Sequence, residues 1–280
     1  MRKAEGRRQK AASWWRRALC LLPSAFCLVL LSACAPKPLV LPTGVGAPFP
    51  DFASAYEQAT ARCRGVQTLT ASMAMSGKAG TTKLRGRIDA GFAAPGRVRL
   101  EGRAPFGKPV FILVADGGRG TLVLPREDRV LRDAPPDQIV EALAGVRLGP
   151  DALRTVIAGC GFPGAAPSDG RSFPNGWSSV ALGEGTTYLR QNAGTWEVAA
   201  ATRGPLTVTY ADYAGGRPAT IRLRAQSQGG ANADLTLRLS DVDINTVINP
   251  RAFEAELPDR PVPLTLDELR RAGPLGGSEN

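Results

Sequence analysis

Apolar and polar side chains alternate with a period of two through most of this chain. In residues 69–75, Leu69, Ala71, Met73 and Met75 share one face, and Thr70, Ser72 and Ala74 the other. Residues 82–92 set Leu84, Ile88 and Phe92 opposite Lys83, Arg85, Arg87 and Asp89, and residues 97–103 set Val98 and Leu100 opposite Arg97, Arg99, Glu101 and Arg103. Such alternation predicts strands with one face buried and one charged. Residues 109–115 are apolar on both faces, which predicts a strand covered on both sides. Asp116-Gly117-Gly118 then reads as a hairpin turn into Thr121–Leu124. The pattern resumes with Val180 and Leu182, Tyr188, Trp196 and Val198, and then Leu206, Val208 and Tyr210. It ends with Ile221 and Leu223 opposite Arg222 and Arg224, and Leu235, Leu237 and Leu239 opposite Thr236, Arg238 and Ser240.

The period lengthens to that of a helix in three places. Residues 51–64 are expected to form a helix capped by Asp51 and ended by Gly65. Two short helices follow Pro135-Pro136, at about 137–144 and 150–158, with Ile139, Val140, Leu143, Leu153, Val156 and Ile157 as their apolar sides. The Gly- and Pro-rich stretch 161–176 reads as a mobile loop, and a tail helix is expected around Leu266–Arg271. Some ten or eleven strands with helices that must bury an apolar side imply an α+β fold. The sheet is antiparallel and curled into an unclosed half-barrel with a helical lid. A β-sandwich is the second choice, disfavoured because the two middle helices must pack somewhere.

The first 33 residues read as a separate piece. Arg2, Lys3, Arg7, Arg8, Lys10, Arg16 and Arg17 precede an uncharged apolar run, Ala18 to Leu31, which suits a signal peptide and is too short to span a bilayer. Arg16-Arg17 also fits a twin-arginine signal, but the flanking Trp15 and the strongly apolar run favour the general secretory route. The run ends in Leu31-Ser32-Ala33-Cys34, which resembles the lipobox of bacterial lipoproteins. Small Ser32 and Ala33 suit a narrow peptidase site, and the Cys34 thiol is the atom that takes the lipid. Two or more acyl chains give stable anchoring where one does not, and the mature end of such lipoproteins carries three. By resemblance to the usual sorting rule of such lipoproteins, Ala35 in place of Asp favours the outer membrane over retention at the inner one. Residues 34–50 contain Pro36, Pro38, Pro42, Pro48 and Pro50 and read as an extended tether. The half-barrel domain is then expected over 51–260, with a tail over 261–280.

Charge and chemistry narrow the function. The chain carries a formal +10, but seven basic residues and one acid lie in residues 1–33, so +4 remains once they are removed. Such a balance gives no clustered basic footprint, and nucleic acid is not expected as a partner. The chain has no histidine. That leaves out His-based acid–base work, Ser-His and Cys-His nucleophiles and the commonest metal ligand. No phosphate-binding glycine loop or serine elbow is present. Asp241 and Asp243 read as solvated edge charges. No enzyme activity, metal or cofactor is expected. With Cys34 lipidated, Cys63 and Cys160 remain in an oxidising compartment. A disulfide between them would contribute about 4–5 kcal/mol by closing a long loop; two buried thiols are the alternative.

Several segments resemble the LolB family of outer-membrane lipoprotein receptors. They are Arg99-Leu100-Glu101-Gly102-Arg103-Ala104-Pro105-Phe106-Gly107 leading into Val110-Phe111-Ile112-Leu113; the helix pair through Leu143, Gly145-Val146, Pro150-Asp151-Ala152-Leu153 and Ile157-Ala158-Gly159; and Leu237-Arg238-Leu239-Ser240-Asp241-Val242. The resemblance spans roughly residues 51–257, and only the Pro-Phe-Gly loop and the lipobox are specific. It implies an apolar interior that takes acyl chains from a LolA-like periplasmic carrier, with acylated lipoproteins as cargo and no nucleotide energy. It also implies a monomer anchored to the outer membrane and facing the periplasm. By motif, Phe106 between Pro105 and Gly107 stands where the family has an exposed apolar residue that enters the membrane. The inward positions Met73, Met75, Leu84, Ile88, Leu100, Trp196 and Tyr210 are the expected acyl wall, with flexible methionines suited to a deformable one. The outer arginines Arg85, Arg87, Arg97, Arg99, Arg222 and Arg224 would meet anionic headgroups or an acidic carrier, or simply solvent. The competing reading is a structural or envelope-assembly lipoprotein that uses the same fold to hold a protein partner, with 161–176 and the tail as contact surfaces.

Overall fold

The computed structural model describes residues 39–103, 109–226 and 233–274. Cys34, the Pro105-Phe106-Gly107 loop and the leader all lie outside the described residues. Leu41–Asn280 is one compact unit, distinct from Met1–Val40.

After β1 (Ala47–Pro48) comes helix α1 (Phe52–Arg64). A meander follows of β2 (Thr68–Ala79), β3 (Thr82–Ala93), β4 (Arg97–Arg103), β5 (Phe111–Asp116), β6 (Arg119–Leu124) and β7 (Arg129–Ala134). Helices α2 (Pro136–Ala144) and α3 (Pro150–Ala158) interrupt it. A second meander runs β8 (Asp169–Phe173), β9 (Trp177–Leu182), β10 (Gly185–Asn192), β11 (Thr195–Arg203), β12 (Leu206–Ala214), β13 (Arg217–Ala225) and β14 (Ala233–Ile244). The chain closes with β15 (Val262–Pro263) and α4 (Leu266–Ala272).

These strands make one sheet in the order β1-β8-β9-β10-β11-β12-β13-β14-β2-β3-β4-β5-β6-β7-β15. The two meanders join where β14 lies antiparallel on β2, Leu237 opposite Met75 and Leu239 opposite Met73. Every pairing among the described strands is antiparallel except β15 on β7. The edges β1 and β15 are two residues long and each holds a proline (Pro48, Pro263), which leaves a poor template for further pairing. The sheet does not close, and its inward face carries the core. The fold is α+β, an unclosed half-barrel under a helical lid.

Among the described residues the strands number fifteen, more than the alternation predicts. β8 lies in the stretch expected to be a loop, because Asp-Gly-Arg-Ser-Phe has no apolar alternation and pairs through its backbone with β1 and β9. β7 was also not anticipated. The helix bounds fall within a residue of expectation, but Asp51 makes no side-chain cap on α1, and Gly65 has an ordinary negative φ. The β5–β6 turn is the two-residue Gly117-Gly118, both at positive φ, as a tight hairpin requires. β5 is covered on both faces as expected: Val114 on the outer side is 4% exposed. There the chain after β14 crosses the outer face, with Phe253 buried and the Arg97 guanidinium 5.5 Å from its ring. Arg99 donates to the carbonyls of Ala252 and Glu254.

Candidate functional site: an apolar cavity under the lid

The concave face is occupied unevenly. Over β8–β11 it is covered by α1. Over β14, β2, β3, β4 and β5 it is covered by α2 and α3, and there a cavity of about 100 Å³ remains. The sheet contributes Met73 and Met75 from β2, Ile88 and Phe92 from β3, Leu100 from β4, Phe111 from β5, Leu223 from β13, and Leu235 and Leu237 from β14. The lid contributes Val140, Leu143 and Ala144 from α2, Val146 and Leu148 from the linker, and Leu153 and Ile157 from α3. Every one of these side chains is apolar, so the walls supply neither charge nor side-chain hydrogen bond, and a hydrocarbon suits them better than a polar ligand.

The lid helices form because each begins on a proline at its first turn, Pro136 and Pro150, and ends on a left-handed glycine, Gly145 and Gly159. Gly145 is needed at its place. It has φ +71°, and a Cβ there would touch Ala233 and Ala79 where the linker crosses from β14 to β2.

α3 is fastened at both ends. At its start the Gly96 amide donates to Asp151 (3.1 Å), while Arg154 donates to Asp151 (3.2 Å) and to the Val66 carbonyl. At its end the Tyr210 hydroxyl accepts from the Gly161 amide (3.0 Å) and donates to the Val156 carbonyl (2.9 Å). Beside it Cys63 and Cys160 are joined as a disulfide, with Cα atoms 5.5 Å apart, tying α1 to α3. α2 is tied to α4, whose Arg270 donates to Gln138 at 2.6 Å.

Of the residues expected in the acyl wall, the fold brings together Met73, Met75, Ile88 and Leu100. It does not bring in Leu84, Trp196 or Tyr210. Leu84 is buried elsewhere along β3, Trp196 packs on Phe49 with ring centroids 5.6 Å apart, and Tyr210 is the tie just described. All three do point inward. Two of them sit on strands of the second meander, β11 and β12, beyond the reach of the cavity. The lid residues were missed as lining because helical periodicity marks an apolar side without saying what lies opposite.

The outer arginines are mostly engaged. Arg222 grips both Asp234 oxygens at 2.7 and 2.6 Å, Arg87 lies 3.8 Å from Asp241, and Arg97 and Arg99 hold the crossing segment. Asp241, at φ +51°, lies in a bulge of β14 and its side chain is exposed. A second hollow, about 220 Å³, lies at the β9–β10 turn among Phe162, Leu182, Glu184, Thr186 and Arg203. Its mixed walls suit water better than hydrocarbon. Among the described residues no group of three or more His, Cys, Asp or Glu is placed to hold a metal ion, and no helix is long and apolar enough to cross a membrane.

No protein-family model matches the chain, and no curated protein matches it in sequence. Solved structures do resemble it. A LolA-superfamily protein from Nitrosomonas europaea shares 14% identity over 73% of this chain and 96% of its own, with a TM-score of 0.48. A domain described as an outer-membrane lipoprotein-sorting protein, from Vibrio parahaemolyticus, shares 12% over 72% and 95%, with a TM-score of 0.46. LprF from Mycobacterium bovis shares 13% over 73% and 99%, with a TM-score of 0.30. At such identities and scores, what bears on the ligand is the lining of the cavity.

Proposed function

We propose that this chain is an outer-membrane-anchored lipoprotein that holds acyl chains beneath its lid and receives lipoproteins for insertion into the outer membrane. The observation that carries the reading is the wholly apolar cavity between the concave sheet and α2–α3. Each methylene taken from water into such a site contributes about 0.8 kcal/mol, enough to make a lipid tail a tight ligand. The cavity is smaller than the roughly 150 Å³ engineered cavity that admits benzene. A whole acyl chain therefore enters only as α2, the lid helix without a covalent tie, moves away, and it takes the place of the side chains that fill the core around the cavity. Cys34 in its lipobox supplies the anchor, and the Pro105-Phe106-Gly107 segment follows directly on β4, whose Leu100 lines the cavity. A LolA-like carrier as donor comes from the sequence resemblance.

The test is binding of an environment-sensitive fatty probe and of an acylated peptide to the mature chain with Cys34→Ala. That residue lies outside the unit Leu41–Asn280, so the unit is left intact. Saturable fluorescence enhancement, competed by the acylated peptide and not by its unacylated form, is expected. Fluorescence no higher than with a control protein of similar size would remove the reading.

A further inference from the structure

The inward side chains of the sheet fall into rows across the strands, because directly opposed residues of an antiparallel pair share a face. One row reads Leu239 on β14, Met73 on β2, Ile88 on β3, Gly102 on β4 and Phe111 on β5. Four of the five are large and apolar, and the fourth place holds no side chain at all. The gap is filled from the side. A Cβ built on Gly102 would stand 2.2 Å from Phe111 Cε1 and 2.5 Å from its Cδ1, so the phenyl ring occupies the space a side chain at Gly102 would take. Phe111 is 7% exposed and is part of the cavity wall. At this end of the cavity the wall is otherwise loose. The neighbouring row passes from Leu237 through Met75, which is half-buried, to Gly86, where a Cβ would meet nothing nearer than 3.9 Å. At the other end Phe92 is fully buried and α3 is fastened at both ends.

The geometry points to Phe111 as the residue that sets how much of a hydrocarbon chain the cavity accepts, with Gly102 as the seat that lets its ring occupy the gap. This deepens the acyl-binding reading and rests on it. When the ring leaves Gly102, a groove opens between Ile88 and the start of β5, beside the end of β4. A tail that displaces the ring gains the length of that groove; one that does not stops against it. Phe111 is thus a specificity determinant for tail length.

The experiment measures affinities of the mature Cys34→Ala chain for a series of saturated fatty acids of increasing length, each below its micelle concentration. With Phe111 in place, affinity rises about four-fold per methylene and then levels off. Phe111→Ala moves the plateau to longer chains, with the same four-fold gain for each added methylene. Phe111→Leu moves it less and guards against a variant that fails to fold. Gly102→Ala alters the plateau more in the parent than in the Phe111→Ala background, since the added methyl then has no ring to push. Binding by the parent with the plateau unmoved in both Phe111 variants overturns this inference alone. Equal effects of Gly102→Ala in the two backgrounds overturn the seating of the ring. No binding by the parent overturns the reading on which the inference rests.

Discussion

At the scale of single residues, Tyr210 and Asp234 show how the fold uses polar groups. Burial pushes the Tyr210 phenol well above its usual range, so it stays protonated and donates to Val156 while accepting from Gly161. Its inward orientation was legible in the strand alternation; its role as a clasp was not, since the carbonyl and amide it meets come from α3 and the residues just after it, far away in sequence. Asp234 is held below the ordinary carboxylate range by its paired hydrogen bonds from Arg222. A carboxylate lowered in the folded state stabilises the fold above its unfolded pKa of about 4, and that stability is lost as pH falls through the lower, folded value. The side chains are 38% and 45% exposed, so solvent screening keeps the pair to no more than about 1 kcal/mol. Urea unfolding of Asp234→Asn is expected to show that loss at neutral pH and convergence with the parent in strong acid. A loss that persists undiminished in acid would show that the pair is not its source.

Among the elements, α3 is the fixed wall of the lid. The disulfide spans 97 residues and closes a loop containing the whole first meander and both lid helices. Replacing Cys63 and Cys160 by Ser is expected to lower unfolding free energy by about 2–5 kcal/mol, read from the denaturant midpoint. An unchanged midpoint would mean that the noncovalent ties carry the attachment. α4 is the better-capped helix: Thr265 and Glu268 form a reciprocal capping box, and Leu269 is 3% exposed. The tail helix, the lid pair and most strands were legible because proline, glycine and period mark them locally. β1, β7, β8 and β15 were not, because their pairing is written in their neighbours' backbones.

At the scale of the whole molecule, the two meanders divide the labour. The second, under α1, is packed with Leu189, Val198 and Val208, each no more than 1% exposed. The first, with β13 and β14, carries the cavity. In the proposed receptor, membrane contact falls to the segment between β4 and β5. Phe106→Glu is expected to leave folding and fatty-probe binding intact while abolishing transfer of an acylated lipoprotein to liposomes, because a carboxylate resists entry into the bilayer interface. Transfer at the parent's rate would end the insertion role. The resemblance that singled out Phe106 concerns residues outside those the structure describes, so this prediction stands on motif and position in the chain.

By itself the sequence determined the alternating strands, the two short lid helices and which side of each faces inward, and it carries the expectation of a secretion signal and lipobox. These are set by local chemistry: charge before an apolar run, small residues before a cysteine, and periods of two and 3.6. Only the tertiary structure decided that Cys63 meets Cys160, that Met73 and Leu100 face a hollow while Tyr210 faces a helix end, and that Phe111 covers for Gly102. Those facts depend on strand order and on which lid lies over which strands. Side chains brought together from far along the chain leave no periodic trace that marks them as neighbours.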